Sequence, residues 1–231
     1  MFNIHGFQKM TMLDFPGKVA CTAFTAGCNF RCPFCHNASL VTKINNEEIY
    51  SQEEIFDYLN KRKGVLDGIC ITGGEPLLYD GIVEFIKKAR ELGLLVKLDT
   101  NGSFPEKLKY LIDNGLVDYV AMDIKNSKEK YAETIGLKEY DLSNVEKSVA
   151  ILLEGRVEYE FRTTIVAEYH TTQDIVAIGN WIKGAKRYFL QNFVDSGNLI
   201  GSDMHAVSKD FMKELQIEAA KFVEKVELRG I

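Results

Sequence analysis

Apolar and polar positions along the chain follow two alternating rhythms: short continuous apolar runs, and longer stretches in which apolar residues recur every third or fourth position. The first rhythm reads as buried strands and the second as amphipathic helices. Lys18 to Thr25 is the first such strand, and the turn formers Asp14-Phe15-Pro16-Gly17 ahead of it predict that residues 1–17 form a hairpin arm or a covering loop. A polar stretch follows the first strand. Ser51-Gln52-Glu53-Glu54 is then a capping box opening a helix with Ile55, Phe56, Tyr58 and Leu59 on its apolar side and an end near Gly64. Asp67 to Thr72 is the next strand, and Asp80 is placed to cap a helix carrying Ile82, Val83, Phe85, Ile86, Ala89 and Leu92, which Gly93 ends. The unit recurs as strand Leu94 to Leu98 with a helix from Pro105 to Asn114-Gly115. Strand Tyr119 to Met122 follows, then a Lys- and Glu-rich connection, then helix Leu142 to Leu153, where Ser143 and Glu146 fit a capping box. Strand Val157 to Val166, helix Asp174 to Ile182, strand Arg187 to Phe193 and helix Ser208 to Phe222 complete the series, and Val226 to Leu228 predicts a terminal edge strand.

Strands alternating with helices in this way predict a parallel sheet with right-handed crossovers. Six such units suit 231 residues, whereas a full eightfold barrel takes about 250. The expected fold is therefore α/β, an open partial (β/α)6 TIM-like barrel, with residues 1–231 forming one domain around one core.

The conspicuous polar and glycine clusters all follow strand ends: Cys28 to Cys35, Gly73-Gly74-Glu75-Pro76, Asp99-Thr100-Asn101, Asp123 with Lys125, and Gln191-Asn192. Each alone reads as an ordinary turn or cap. In a β/α barrel, however, that rim is where active sites are assembled, so their common placement predicts a site there.

The chemistry of that site rests on Gly27-Cys28-Asn29-Phe30-Arg31-Cys32-Pro33-Phe34-Cys35-His36-Asn37, which sets three thiols at spacings of four and three on one loop. Three thiolates so spaced suit one corner of an iron–sulfur cube and leave one iron of four without a protein ligand. Structural zinc would need a fourth donor, and the usual partner pair of cysteines is missing; His36 adjoins Cys35 too closely to fold back easily. An odd total of five cysteines argues against a disulfide framework, and Cys21 and Cys70, inside apolar runs, read as buried small hydrophobes. The formal net charge of -5, with no basic run beyond the solvated helix end Lys61-Arg62-Lys63, argues against a nucleic-acid partner. Neither a leader-like N-terminus nor a membrane-length apolar run is present, so a soluble, cytoplasmic protein without membrane association is expected.

Cys28-x3-Cys32-x2-Cys35 with Phe34 before the third cysteine, followed on the next strand by Gly73-Gly74-Glu75-Pro76, resembles the radical S-adenosylmethionine superfamily. Thr11-Met12-Leu13-Asp14-Phe15-Pro16-Gly17-Lys18, Cys35-His36-Asn37, Asp99-Thr100-Asn101-Gly102 and Asp123-Ile124-Lys125 are similar to glycyl-radical-enzyme activating proteins, in particular to those of anaerobic ribonucleoside-triphosphate reductases. The resemblance implies a barrel of the radical SAM type. It also implies a 4Fe-4S cluster on Cys28, Cys32 and Cys35 whose open iron is chelated by S-adenosyl-L-methionine. By the same resemblance Phe34 and the Gly73 to Pro76 turn bind the cofactor. The glycines would let backbone approach the ligand, and Glu75 would supply a carboxylate for the methionine ammonium. Asp99 and Asp123 would sit near the methionine carboxylate, sharing a monovalent cation, and Lys125 would help neutralise that carboxylate. Arg162 matches an arginine of related activases; an interior ion pair with Asp123 is an equal reading of it.

The implied reaction is one-electron cleavage of S-adenosylmethionine to methionine and a 5′-deoxyadenosyl radical, which takes hydrogen from a glycine of a partner glycyl radical enzyme. A flavodoxin- or ferredoxin-type protein would donate the electron. No inserted cysteine-rich stretch accompanies the motif, so one cluster is expected, and Gln191-Asn192-Phe193 lacks the histidine some activases place after the sixth strand. Two other readings stand beside this one: the same radical chemistry on a small molecule, and a non-catalytic metal-binding module.

Overall fold

The structure, a computed structural model, describes residues 4–43 and 49–231. The first residues of the N-terminal stretch and 44–48 of the polar stretch after the cysteines lie outside the described residues. Every strand foreseen from the apolar runs is present: β1 (Ile4–Thr11), β2 (Ala20–Thr25), β3 (Gly68–Gly73), β4 (Leu95–Thr100), β5 (Tyr119–Asp123), β6 (Glu158–Ile165), β7 (Arg187–Asn192) and β8 (Lys225–Arg229). They form one eight-stranded sheet in chain order. β1 pairs antiparallel with β2, so the segment before the first parallel strand is a hairpin arm; every later pair is parallel. Six parallel strands followed by the foreseen edge strand β8 make the open barrel expected from chain length.

The helices are α1 (Ala38–Thr42), α2 (Gln52–Lys61), α3 (Ile82–Glu91), α4 (Pro105–Asp113), α5 (Tyr131–Thr134), α6 (Ser143–Leu153), α7 (Thr172–Trp181) and α8 (Lys209–Ala219). α2 begins with the foreseen box, the Ser51 hydroxyl accepting from the Glu54 amide while Glu54 accepts from the Ser51 amide at 2.8 Å. Two foreseen caps are corrected. α3 has no side-chain cap, because the Asp80 carboxylate turns to Lys107 at 2.7 Å. α6 lacks the Ser143/Glu146 box: the Ser143 amide is the first helical one and is met by Asp141 at 3.0 Å, while Glu146 pairs with Lys128 across to the preceding connection. α7 carries a box instead, between Thr171 and Asp174. α1 and α5 lie in stretches that read as polar connections; with four or five residues each, neither holds a helical period long enough to see.

Side-chain alternation divides the sheet into two faces. Ile69, Ile71, Val96, Leu98, Val120, Met122 and Phe161 are fully buried in one continuous core with the helices, among them Leu59, Phe85, Leu108 and Leu152. The concave face is polar. Cys70, Lys97, Asp99, Glu160 and Arg162 meet one another or Arg229 there, and the β1–β2 loop, through Leu13, Asp14 and Pro16, lines the lower end of this interior. Cys21 and Cys70 are buried free thiols. No helix of the described residues is long and apolar enough to cross a membrane. Thr171→Ala is expected to lower stability by about 1 kcal/mol by removing a box that closes an α7 amide, whereas Ser143→Ala is expected to be near neutral; urea unfolding midpoints of the two variants check the difference.

Candidate active site

The site begins with a register. β2 and β3 run parallel with Thr25 opposite Gly73, so the chain leaving β2 as the cysteine loop departs beside the Gly73-Gly74 turn leaving β3. Gly73 has φ +115, and a Cβ on it would lie 2.3 Å from the Thr25 carbonyl oxygen; a Cβ on Gly74 would lie 2.0 Å from that of Gly27. The Gly74 amide donates to Thr25 and the Glu75 amide to Gly27, both at 2.8 Å. The glycine pair thus lets two loops of the protein touch, and the side of the turn facing away from this contact lines the rim cavity.

Within the cysteine loop, Cys28 and Cys35 are half-buried and Cys32 is buried, and all three line the cavity together with Phe34 and His36. Three outside segments hold the loop. The Gly27 amide donates to Leu40 of α1 at 2.7 Å, the Arg31 amide to Ile135 at 2.9 Å, and the Gly201 amide to the Pro33 carbonyl at 2.8 Å. The Asn37 side chain reaches Gly73 at 2.8 Å. Burial pushes the Cys28 thiol up to about 11 and Cys32 to about 12, and raises Cys35. Metal binding therefore has to displace three protons. Among the described residues no three His, Cys, Asp or Glu side chains converge on a single ion. A zinc site needs four donors at about 2.0 to 2.3 Å from one centre, whereas thiolates that each hold a different iron of a cube stand further apart.

Glu75 and Pro76 are not on the cavity. Pro76 opens a short 3-10 turn, Pro76–Leu78, and Glu75 is fully buried, its carboxylate accepting from the Leu77 amide at 3.0 Å, Thr100 Oγ1 at 2.8 Å and the Asn101 amide at 2.7 Å. The carboxylate expected to meet the methionine ammonium is committed to the ends of β3 and β4 instead. Asn101, which the sequence placed in the rim cluster after β4 without a role of its own, extends this link. Its side-chain amide donates to Asn29 at 2.9 Å and faces Cys28 Sγ at 3.7 Å, while its carbonyl accepts from the Ser103 amide at 2.9 Å. Burial raises Glu75 to about 7 against the hydrogen bonds from Asn101, Thr100 and Leu77.

Opposite the cysteines, charged groups form an alternating row from the barrel interior to the rim. Lys97 pairs with Asp99, Asp99 with Arg162 at 3.0 Å, Arg162 with Asp123 at 2.9 Å, and Asp123 with Lys125 at 2.9 Å. Burial alone would raise both carboxyls. Arg162 and Lys97 more than offset it at Asp99, and Arg162 and Lys125 hold Asp123 well below the usual range. Asp99, Asp123, Lys125 and Arg162 all line the cavity, two cations against two carboxylates, while Lys97 lies deeper in the barrel interior. Arg162 is ion-paired with Asp123, as one reading of it had it, and it also lines the cavity. A cation bound beside Asp99 and Asp123 would have to compete with these ammonium and guanidinium partners. His170 is a further residue the sequence reading missed: it is buried behind Phe34, and its Nε2 lies 2.8 Å from the Lys125 carbonyl, fixing where that lysine leaves the strand. Its Nδ1 meets the Val166 amide four residues back, but the Lys125 and Phe34 contacts that tie it to the site come from two other strand ends and leave no local pattern.

The profile of the radical SAM superfamily matches residues 22–182, the part of the chain that carries the cysteine loop, the glycine turn and the charged row. The chain belongs to the radical SAM superfamily. A Methanocaldococcus jannaschii protein provisionally named a glycyl-radical enzyme activating enzyme is 32% identical over 99% of this chain and 96% of its own length. The pyruvate formate-lyase-activating enzyme of Listeria monocytogenes is 33% identical over 134 residues, covering 53% of this chain and 52% of that enzyme. The chain thus matches about half the length of the Listeria enzyme. The fold is shared with Streptococcus suis SuiB bound to S-adenosylmethionine, at a TM-score of 0.68 and 14% identity over 89% of this chain and 49% of that one.

As a radical SAM enzyme the protein uses a 4Fe-4S cluster and S-adenosylmethionine. The residues present fit both groups: three thiols on one loop line the cavity, and the Lys125 ammonium and Arg162 guanidinium on the same cavity suit a carboxylate. Arg162→Met, which leaves two adjacent carboxylates with one cation fewer, is expected to cost on the order of 3 kcal/mol in urea unfolding. Glu75 sets a pH dependence. Its folded value of about 7 lies above the ordinary 4.5, so between those values the folded chain keeps a proton the unfolded chain releases. Stability should therefore fall as pH rises through that window, by up to about 3 kcal/mol. Glu75→Gln is expected to flatten this slope in unfolding of the full chain at stepped pH.

Proposed function

We propose that this radical SAM enzyme is an activase that generates a glycyl radical on a partner enzyme, with an anaerobic ribonucleoside-triphosphate reductase as the partner class. The observation that carries the proposal is similarity along the whole length of the M. jannaschii relative, together with a cofactor-sized rim cavity at the mouth of an open barrel. A glycine on a loop of a large protein needs such an open mouth. Residues 1–231 act as a single radical SAM domain, a cytoplasmic setting keeps the thiols reduced, and a flavodoxin- or ferredoxin-type protein supplies the electron.

In this reading Cys28, Cys32 and Cys35 hold the cluster. Bound together, the reduced cluster and S-adenosylmethionine supply a 5′-deoxyadenosyl radical by one-electron cleavage of a carbon–sulfur bond. The chain's residues position and shield that chemistry. Gly73 and Gly74 present backbone to the cofactor, Phe34 covers one side, and Lys125 and Arg162 balance the methionine carboxylate while Asp99 and Asp123 keep both cations in place. Glu75 and Pro76 contribute from behind, by setting the two loop ends.

Anaerobically reconstituted protein with dithionite and S-adenosylmethionine is expected to release 5′-deoxyadenosine, and Cys32→Ala to lose this at least a hundredfold. Addition of the partner reductase is expected to give a glycine-centred doublet in its electron paramagnetic resonance spectrum. Turnover without a doublet on any glycyl radical enzyme would move the assignment to a small-molecule substrate, and absence of a four-iron spectrum would leave a metal-binding module.

A further inference from the structure

Two cavities meet inside the barrel. The rim cavity that the cysteines line and a second, inner cavity share Asp99, Arg162 and Gln191 in their walls, so one continues into the other. The far wall of the inner cavity comes from both ends of the sheet, Leu13, Asp14 and Pro16 of the β1–β2 loop and Arg229 of β8. Leu13 is 91% exposed, so the inner cavity reaches the surface at the seam where the barrel stays open. Neither a cysteine nor Gly73 or Gly74 lines it. With S-adenosylmethionine in the rim cavity, the inner one is left for a second molecule.

The inner cavity is polar, but its charges are spent on one another. Lys97, Arg162 and Arg229 stand there against Asp14, Asp99 and Glu160. Lys97 and Arg162 hold Asp99, Arg229 holds Glu160 at 3.0 Å, and Asp14 accepts from the Thr22 hydroxyl at 2.6 Å. An anionic or cationic ligand would have to break one of these pairs and leave a charge stranded. The wall therefore suits a neutral ligand.

Gln191 is the exception among these groups. On β7, Tyr188 and Leu190 are fully buried in the core with the helices, whereas Phe189 lies on the concave side, its ring centre 3.6 Å from the Arg229 guanidinium carbon. Alternation along the strand puts Gln191 on the concave side as well. Its main chain is fixed between Thr164 of β6 and Arg229 of β8. Among the described residues it is the one polar side chain of the inner wall that makes no hydrogen bond. A free carboxamide offers N–H donors and a carbonyl acceptor in one plane. An extended residue of a polypeptide is its complement, because the N–H and C=O of that residue point the same way, as in a hydrogen-bonded pair of an antiparallel ladder.

We infer that Gln191 is a specificity-determining residue for the substrate: its carboxamide holds the N–H and C=O of one extended residue of a neutral polypeptide segment lying in the inner cavity. The inference rests on the activase reading, in which the hydrogen comes from a backbone glycine, and adds the side chain that reads the main chain.

The test uses the reconstituted holoenzyme of the full chain with S-adenosylmethionine bound. The probe is a fluorescently labelled synthetic peptide spanning the radical glycine of the partner reductase, and its dissociation constant is read by fluorescence anisotropy. Gln191→Met keeps the length of the side chain and removes its polar atoms; it is expected to weaken the peptide about tenfold. A series of peptides has the N–H of the glycine, or of either neighbour, replaced in turn by an ester oxygen. One member is expected to bind the wild type about fivefold more weakly and to lose nothing further in Gln191→Met. Equal affinity of the parent peptide for both proteins, or a series with no weakened member, overturns the inference. So does a loss of S-adenosylmethionine affinity in Gln191→Met as large as that of the peptide, which would put the carboxamide on the adenine. If Gln191→Met does not fold, Gln191→Glu, which keeps the acceptor and loses the donor, decides by the same measurement. If the wild type binds no peptide, the glycine doublet formed per 5′-deoxyadenosine on the intact reductase takes its place, a fall of about tenfold in the variant supporting the inference and an unchanged ratio refuting it. A wild type that cleaves S-adenosylmethionine but gives neither binding nor a doublet refutes the activase reading itself, and this inference with it.

Discussion

The site depends on one steric constraint: the ends of β2 and β3 lie so close that only hydrogen fits on the α-carbons between them. With Gly73 against Thr25 and Gly74 against Gly27, the cysteine loop and the glycine turn share backbone hydrogen bonds and leave the sheet as one unit. A methyl group at either position would separate them by more than an ångström and carry the thiols off the cavity they line. Glycine here serves the contact between two loops as well as the approach of a ligand.

From that junction the order of the rim spreads by buried polar contacts. Glu75 leaves the junction and ties the β4 exit through Thr100 and Asn101; Asn101 returns to Asn29 and Cys28 in the cysteine loop. The circuit is fully buried at Glu75, and burial penalises the charged form of both its ionisable members, Glu75 and Cys28. Such a circuit holds the thiols rigidly but at a cost in stability, which is the usual exchange at functional sites.

The charged row solves a different problem. An ordinary eightfold barrel fills its interior with branched apolar side chains, whereas this open barrel keeps Lys97, Asp99, Glu160, Arg162 and Arg229 inside, each against an opposite charge. Pairing removes most of the desolvation penalty, since breaking such a pair exposes the remaining charge to it. At the rim end Lys125 and Arg162 line the cavity beside their carboxylate partners. Gly136 and Gly201 press on the cysteine loop from outside, so its position is set from three directions rather than by its own turn preferences.

The sequence by itself determined the architecture and the location of the chemistry. Apolar runs at strand length and helical spacing between them are local signals, and the position of Cys28 to Cys35 and Gly73 to Pro76 after strand ends follows from chain order alone. It also singled out the residues that line the cavity opposite the cysteines. What it could not decide was which way a carboxylate turns. Glu75 faces into the protein and Asp123 into the cavity, although both end a strand, because the choice depends on donors from β4 and β6 that are distant in sequence. The same holds for the corrected caps at α3 and α6, for His170 and for the contacts Asn101 makes. Each is settled by burial and pairing across segments, and burial is a property that exists only once the sheet has brought those segments together.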